Sequence, residues 1–205
     1  MRFKAASAFL ALSLVLVSTA GAQIVDFCNT TASSPTGVLF ACPQGDGTTL
    51  SAAGLTITVT VIDNVNQPVV GIPAEDIWLI GCNDLLGLCE GADAISASGP
   101  TDANGQTTIT AAFAAGGCDV GGLRVVVQGI VVGAGACGQP CLPIKVRSAD
   151  ITGDLHVDLI DLAQFSAGYA SPPKPYVECI DYAAPFGTVT LADFAKYAAH
   201  YQHLC

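Results

Sequence analysis

Basic side chains are scarce in this chain, which has 7 lysines and arginines in 205 residues against 17 aspartates and glutamates. Its formal net charge is therefore −10 at pH 7. Nucleic acids are bound through clusters of lysine and arginine, so the composition excludes nucleic acid as the natural partner. Charged residues reach only 12% and hydrophobic residues 51%, a balance typical of a folded protein. The 22 glycines and 11 prolines favour short strands and turns over long helices.

The common signatures of catalysis are missing as well. There is no Gly-x-Ser-x-Gly nucleophile elbow, no His-Glu-x-x-His zinc motif and no Cys-x-x-Cys redox pair. The carboxylates that come closest to a glycosidase pair are Glu75, Asp76, Glu90 and Asp93. We interpret these four as solvated turn residues, so the sequence predicts a protein that is not an enzyme.

Only one long apolar run is present, and it lies at the amino terminus. Arg2 and Lys4 precede apolar residues 5–17, and the run ends at Ala20-Gly21-Ala22, a small-x-small pattern. This arrangement predicts a secretory signal peptide over residues 1–22. The run is shorter than the ~20 residues of a spanning helix, and no second run follows, which predicts no transmembrane segment after cleavage. We expect an extracellular, cell-surface or periplasmic protein.

All nine cysteines follow the predicted signal, and export to an oxidising compartment favours disulfides. Their spacing suggests three local pairs, Cys28–Cys42, Cys82–Cys89 and Cys179–Cys205. Cys118 then has Cys137 or Cys141 as its partner, and one thiol is left over. A zinc site is the alternative for Cys82, Cys89, Cys137 and Cys141, but these spacings favour disulfides.

A period of two dominates residues 38–146. In the clearest example, Leu55, Ile57, Val59 and Val61 alternate with threonines, as expected of a half-buried strand. Further strand candidates are residues 77–80, 106–113, 123–132 and 142–146. Turn signals separate these short strands, which predicts an antiparallel β-sandwich over residues 23–148. Trp78 is expected to anchor a sheet face, and the alternative is a platform that stacks on a glycan.

Two turn motifs within this region carry a family resemblance. The strand-turn-strand segment VTVIDNVNQPV spans residues 59–69, and the turn TDANGQTTI spans residues 101–109. In this order they resemble the bacterial Ig-like domains of the invasin and intimin group, over roughly residues 50–133. The resemblance implies a non-catalytic β-sandwich used in surface or extracellular architecture.

The period becomes helical after Arg147, and a repeat appears. The segment VDLIDLAQFSAGY at 157–169 aligns with VTLADFAKYAAHY at 189–201, 32 residues later. Each copy places one apolar stripe on a helix. The stripes are Leu162, Phe165 and Tyr169 in the first copy, and Phe194, Tyr197 and Tyr201 in the second. We therefore predict a small module, residues 149–205, in which two helices pack their aromatic faces together.

Oxygen donors precede the first of these helices at the spacing of an EF-hand loop. In loop order they are Asp150 first, Thr152 third, Asp154 fifth, His156 seventh through its carbonyl, Asp158 ninth and Asp161 twelfth. Such hard donors predict a Ca²⁺ site. In the alternative, Asp150 caps a turn and Asp158 caps the helix. The sixth position, usually glycine, is Leu155.

The second copy keeps few of these donors. Its corresponding positions are Tyr182, Ala184, Phe186, Thr190 and Asp193, with Gly187 retained for the turn. We predict that this loop binds no calcium. Two histidines close to the carboxyl terminus, His200 and His203, together with Cys205 suggest a transition-metal site, although solvated histidines are the favoured interpretation.

The duplicated loop and helix resemble a type I dockerin, over roughly residues 149–205. The resemblance implies a module that folds around calcium and binds a cohesin-like or other extracellular protein. In that family the tenth and eleventh loop positions help to choose the partner, and here they are Leu159-Ile160 and Leu191-Ala192. These pairs are expected either to bind a partner or to pack against the sandwich. A glycan-binding accessory role and a purely structural role are the alternatives.

Overall fold

The computed structural model describes residues 24–89, 95–169 and 177–205. The predicted signal peptide lies outside these residues. The strands are β1 (Thr31–Ser33), β2 (Gly37–Ala41), β3 (Ile57–Thr60), β4 (Ile77–Gly81), β5 (Leu86–Leu88), β6 (Gln106–Ile109), β7 (Ala115–Asp119), β8 (Leu123–Val127), β9 (Ile130–Val132) and β10 (Ile144–Ser148). The helices are α1 (Leu159–Tyr169) and α2 (Leu191–Ala199), and short 3-10 helices lie at Ala74–Asp76 and Glu178–Ile180.

The strands form three sheets that share one core. Their orders are β1-β3-β6, β2-β10-β7-β5 and β4-β8-β9. All pairs are antiparallel except β2 with β10, which run parallel. Apolar residues from the three sheets join in a single buried cluster. The fold is therefore mainly β, as predicted.

The alternating segment forms β3 as the sequence predicts. Leu55, Ile57, Val59 and Val61 are at most 3% exposed, while the intervening threonines are half-buried. β4 alternates in the same way, with Ile77, Leu79 and Gly81 buried. Trp78 is half-buried on that strand and lies opposite Val126.

The candidate strand at 123–132 is a hairpin rather than one strand. Gln128 and Gly129 have φ values of 51° and 82°, so the chain reverses between β8 and β9. Positive φ at both central residues is typical of the two-residue turns that match strand twist. Glutamine is not among the residues that usually indicate a turn. Gln128 therefore left the segment looking like one continuous strand.

The two turn motifs of the Ig-like resemblance contact each other. In the first, Asp63 Oδ1 accepts hydrogen bonds from the amides of Val65 and Gln67. In the second, Gly105 lies at φ 70°, and its carbonyl accepts a 2.8 Å bond from the Val61 amide. A Cβ at Gly105 would lie 2.3 Å from the Val61 carbonyl oxygen, so this position requires glycine.

The cysteines form four disulfides, but not the predicted ones. The bridges are Cys28–Cys137, Cys82–Cys141, Cys89–Cys205 and Cys118–Cys179. The local pairs Cys28–Cys42, Cys82–Cys89 and Cys179–Cys205 are wrong, as is a bond from Cys118 to Cys137 or Cys141. The four-cysteine zinc alternative is also excluded, because all four of its members are oxidised. Cys42 stays a buried thiol. The disulfides indicate an oxidising compartment.

Sheet pairing explains why the bridges are long-range. The Cys82 amide donates to the Gly122 carbonyl at 2.9 Å, and Leu123 pairs with Leu142 in an isolated bridge. These pairings carry Cys82 to within 6.2 Å of Cys141, measured between Cα atoms, although 59 residues separate them. Proximity in the sequence was therefore the wrong guide.

The two helices pack their aromatic stripes together, as predicted. The Phe165 ring centroid lies 5.7 Å from that of Tyr197 and 5.9 Å from that of Phe194. The outer members of the stripes, Tyr169 and Tyr201, are 42% and 37% exposed. Among the helices of the described ranges, none has both the length and the apolarity that crossing a bilayer requires.

Candidate functional site

The predicted calcium loop follows β10 directly, and Asp150 organises its first half. Asp150 Oδ1 accepts bonds from the Gly153 amide at 2.7 Å and the Thr152 hydroxyl at 3.0 Å. Asp150 Oδ2 accepts from the Leu155 amide at 2.7 Å. One fully buried carboxylate therefore holds the turn of residues 151–155.

Asp161 organises the second half of the loop from the first turn of α1. Its Oδ1 accepts from the Thr152 amide and its Oδ2 from the Asp158 amide, both at 2.9 Å. Asp161 is fully buried, and Thr152 bonds to both Asp150 and Asp161. The first and twelfth positions of the predicted ligand set are thus brought to the same loop interior.

The remaining predicted ligands lie further out. Asp154 Oδ1 accepts from the His156 amide at 3.1 Å, and Asp158 Oδ1 accepts from the Ile160 amide at 2.6 Å. His156 forms an isolated bridge with Leu204. Within the described residues, no three of the four loop aspartates have carboxylate oxygens that all lie within 4.8 Å of one another. The capping roles of Asp150 and Asp158 are therefore present, and calcium binding stays a prediction.

The backbone of the loop does take the turn that an EF-hand needs. Leu155, at the sixth position, has φ 70°, the left-handed conformation for which glycine is the usual choice. A leucine in that conformation costs about 1–2 kcal/mol. The surrounding hydrogen bonds, including the one from its own amide to Asp150, hold the strained turn in place.

Glycines in β5 and β7 let this loop dock on the sheet. The Gly117 amide donates to the Asp150 carbonyl at 2.6 Å. A Cβ at Gly116 would lie 1.8 Å from Asp150 Oδ2, and one at Gly87 would lie 2.3 Å from the Gly153 carbonyl oxygen. The loop therefore contacts the backbone of the sheet directly, at positions where glycine leaves room for it.

The second loop has a buried carboxylate pair, and the alignment of the two copies found Asp193 but missed Asp181. Asp193 accepts from the amides of Tyr182, Ala183 and Thr190, as Asp161 does in the first loop. Asp181 Oδ2 accepts from the Gly187 amide at 2.6 Å, as Asp150 accepts from its own turn. The equivalent of Asp150 is thus Asp181, not Tyr182, because the second loop is one residue longer. Only an alignment allowing that insertion would have found it.

Arg147 supplies the cation in this second loop. Its side chain is 2% exposed, and Nη1 lies 3.6 Å from Asp181 Oδ2. Nη1 also donates to the Asp181 carbonyl oxygen, and Nη2 lies 3.0 Å from Glu178 Oε1. The guanidinium carbon is 5.0 Å from the centroid of the Phe186 ring. A buried positive charge therefore balances the buried carboxylate of Asp181.

The first loop has no such partner. No lysine or arginine of the described ranges forms a salt bridge with Asp150, Asp154, Asp158 or Asp161. Burial, with the nearby charge of Asp161 adding to it, raises the pKa of Asp150 above its ordinary value. All the predicted donors are oxygens, the kind of ligand that Ca²⁺ takes.

The two residue pairs at the helix starts are exposed. Leu159 and Ile160 are 65% and 56% exposed at the start of α1, and Leu191 is 70% exposed at the start of α2. Ala192, beside Leu191, is exposed too. Of the two expectations for these pairs, packing against the β-rich part is therefore wrong.

The metal-binding alternative at the carboxyl terminus needs a different third residue. Cys205 is bonded to Cys89 and is not a free thiol. His200 and His203 instead face Cys42 and Asp46, from the segment after β2.

Comparison of the chain with protein-family models, curated proteins and solved structures finds no match.

Proposed function

We propose that this chain is an exported, non-catalytic protein in which an Ig-like β-sandwich carries a calcium-dependent module that docks onto another extracellular protein. The docking surface comprises Leu159, Ile160, Leu191 and Ala192, and the occupant is a protein of the cohesin kind. The observation that carries the proposal is the exposure of these apolar side chains at the start of both helices.

The position of these residues supports a role in recognition rather than in folding. The apolar stripe that stabilises the helix pair is supplied by Phe165, Phe194 and Tyr197, so the helices pack without the docking surface. Apolar side chains that are exposed side by side outside a completed core mark interaction sites, whereas singly scattered ones do not. Here they recur at the same two positions of both repeats.

Calcium has a defined part in this proposal. Asp150, Thr152, Asp154, His156, Asp158 and Asp161 would hold the ion. At the first turn of α1, Asp161 Oδ2 accepts from the Asp158 amide and Asp158 Oδ1 accepts from the Ile160 amide. Leu159 and Ile160 lie between these two aspartates. The bound ion would neutralise the buried carboxylates and so fix the orientation of the first half of the docking surface.

Calcium titration of the purified full chain tests this part. We expect binding at the first loop only, and saturation at a hundred times Kd should raise the free energy of unfolding by about 2.7 kcal/mol. Asp154→Ala should weaken binding about tenfold, or about 1.4 kcal/mol, because it removes an oxygen ligand. Asp154 bonds only to the neighbouring His156 amide, so the apo fold should survive.

Asp102→Ala is the matched control for this titration. Asp102 is an exposed aspartate that accepts bonds from the amides of Asn104 and Gln106, and it lies in the β-rich part. Its replacement should leave calcium affinity unchanged. Calorimetric traces that are identical for wild type and Asp154→Ala would remove the ligand assignment.

The docking surface is tested by charge substitution. We expect Leu159→Asp with Leu191→Asp to abolish binding of the extracellular partner, because buried apolar anchors contribute about 2 kcal/mol or more each, a factor of about 30 in Kd. The partner is isolated from the cell-surface fraction, purified and titrated against each variant with and without chelator. Both helices should keep their circular dichroism signal, since the replaced side chains are exposed.

Val65→Asp with Ile130→Asp provides the matched control. These residues are 64% and 54% exposed apolar side chains in the β-rich part. This control should bind as the wild type does. Equal loss in both double variants would show nonspecific apolar adhesion, and undiminished binding in the Leu159→Asp, Leu191→Asp variant would place the interface elsewhere.

A further inference from the structure

Four side chains from opposite ends of the described chain converge beside the end of α2. They are Cys42, Asp46, His200 and His203, and their ligand atoms all lie within 4.8 Å of one another. This is the one group of three or more metal-ligating side chains among the residues that the structure describes. Cys42 and His203 are 161 positions apart in the sequence, so the fold alone creates the group.

Four of the distances within the group can be compared with the edges of a tetrahedral metal site. His200 Nδ1 lies 3.3 Å from His203 Nδ1 and 3.2 Å from Asp46 Oδ1. His203 Nδ1 lies 3.4 Å from Cys42 Sγ and 3.3 Å from the same Asp46 Oδ1. Atoms held about 2.0–2.3 Å from a zinc ion at tetrahedral angles are separated by about 3.3–3.6 Å. Four of the six ligand pairs therefore lie at about the edge length of a zinc coordination sphere, and the other two lie within 4.8 Å.

Hydrogen bonding alone does not account for this convergence. His203 Nδ1 faces a thiol, a carboxylate and the Nδ1 of His200, and His200 Nδ1 faces the same carboxylate. A ring nitrogen carries either one proton or one in-plane lone pair, so it cannot satisfy three partners at once. A cation at the centre would accept a lone pair from all four side chains.

We propose that Cys42, Asp46, His200 and His203 form a structural zinc site. Thiolate and imidazole donors favour zinc over the hard cation Ca²⁺, which takes oxygen ligands. Four protein ligands close a tetrahedral sphere and leave no position for substrate, which is the arrangement of a structural ion. The proposal is independent of the calcium loop, whose donors are all oxygens.

The surrounding structure holds the ligands in place. Cys42 directly follows β2, and the Gly45 amide bonds to the Cys42 carbonyl at 2.9 Å, turning the chain so that Asp46 returns to the thiol. His200 directly follows α2, and the His203 amide bonds to the His200 carbonyl at 3.1 Å. The ion would tie the loop after β2 to the carboxyl-terminal tail, near the Cys89–Cys205 bridge.

The state of Cys42 agrees with a metal role. It is the one thiol among nine cysteines, in a protein whose other eight are oxidised, and it is fully buried. Zinc would replace the thiol proton, which leaves to solvent on binding.

Metal binding by the full chain provides the test. After dialysis against zinc, we expect one equivalent of zinc per chain, retained in a large excess of Ca²⁺. Substituted Co²⁺ should give a thiolate-to-cobalt charge-transfer band and the intense visible bands of a tetrahedral site. Cys42→Ala should lose the charge-transfer band, and His203→Ala should lose stoichiometric metal.

Two further variants make the result decisive. Asp46→Asn changes a side chain that is 45% exposed and nearly keeps its shape, so it should weaken zinc binding while the fold is retained. Asp102→Asn replaces an exposed aspartate of the β-rich part, outside both proposed metal sites, and should leave zinc binding unchanged. The proposal is overturned if wild type takes up no zinc, if the cobalt spectrum is octahedral, or if Asp46→Asn and His203→Ala bind metal as tightly as wild type.

Discussion

Replacing Arg147 with methionine is expected to lower the free energy of unfolding by about 3–5 kcal/mol, the usual cost of removing one partner from a buried ion pair. Arg147 is 2% exposed, and Asp181 beside it is fully buried. Without the guanidinium, the Asp181 carboxylate keeps its desolvation cost and loses the buried charge that offsets it. Methionine fills nearly the same volume, so the loss reports the charge rather than a cavity. Denaturant unfolding of the purified protein measures it.

Lys145→Met is a close control for this effect. Lys145 lies on the same strand, and its Nζ is 2.7 Å from the same Glu178 Oε1, but its side chain is 45% exposed. Exposed pairs contribute less than about 1 kcal/mol, so this variant should be nearly as stable as wild type. Adding Asp181→Asn to Arg147→Met should recover part of the stability. Equal costs for Arg147→Met and Lys145→Met would show that burial of the charge is not what matters here.

Local patterns predicted local structure well. The alternation around Leu55 and Val61 defined β3, because a strand buries every second side chain. The recurrence of Phe165 and Tyr197 in the repeat defined two helices whose stripes pack together. The spacing of Asp150 and Asp161 also identified the two carboxylates that organise the first loop. In each case the signal lies within one turn, strand or helix.

Features that join distant segments were not predictable in this way. The disulfide partners of Cys82 and Cys118 depend on which strands pair, and spacing carries no information about that pairing. A one-residue insertion hid the role of Asp181, because a fixed offset of 32 residues placed Tyr182 there. The cluster of Cys42 with His203 arises only when the loop after β2 meets the carboxyl-terminal tail.

The position of Arg147 links these two classes of feature. Arg147 lies on β10, just before the helical repeat begins. Sequence analysis used it only as the point where the period changes. Structurally it provides the positive charge of the second loop, which explains how that loop folds with few oxygen ligands. The first loop lacks this charge, and the contrast between two related loops is a physical reason to expect an ion in the first.

Removing the Cys118–Cys179 disulfide is expected to destabilise the protein by about 4 kcal/mol, because the bridge closes a loop of 61 residues and its loss frees the unfolded chain. It joins β7 to the 3-10 helix that precedes α2, so Cys118→Ala with Cys179→Ala should also allow the helix pair to open separately. Hydrogen exchange should show the amides of α1 and α2 exchanging before those of β3 and β8.

Cys28→Ala with Cys137→Ala separates the two effects. That bridge spans 109 residues, so its loss should cost about as much in unfolded-chain entropy, between about 4 and 5 kcal/mol. Both of its cysteines lie in the β-rich part, and the helices should then exchange together with the strands. If the helices stay as protected as β3 in the Cys118→Ala, Cys179→Ala variant, the remaining Cys89–Cys205 bridge and contacts such as Arg147 with Asp181 are sufficient to fix them to the sheet.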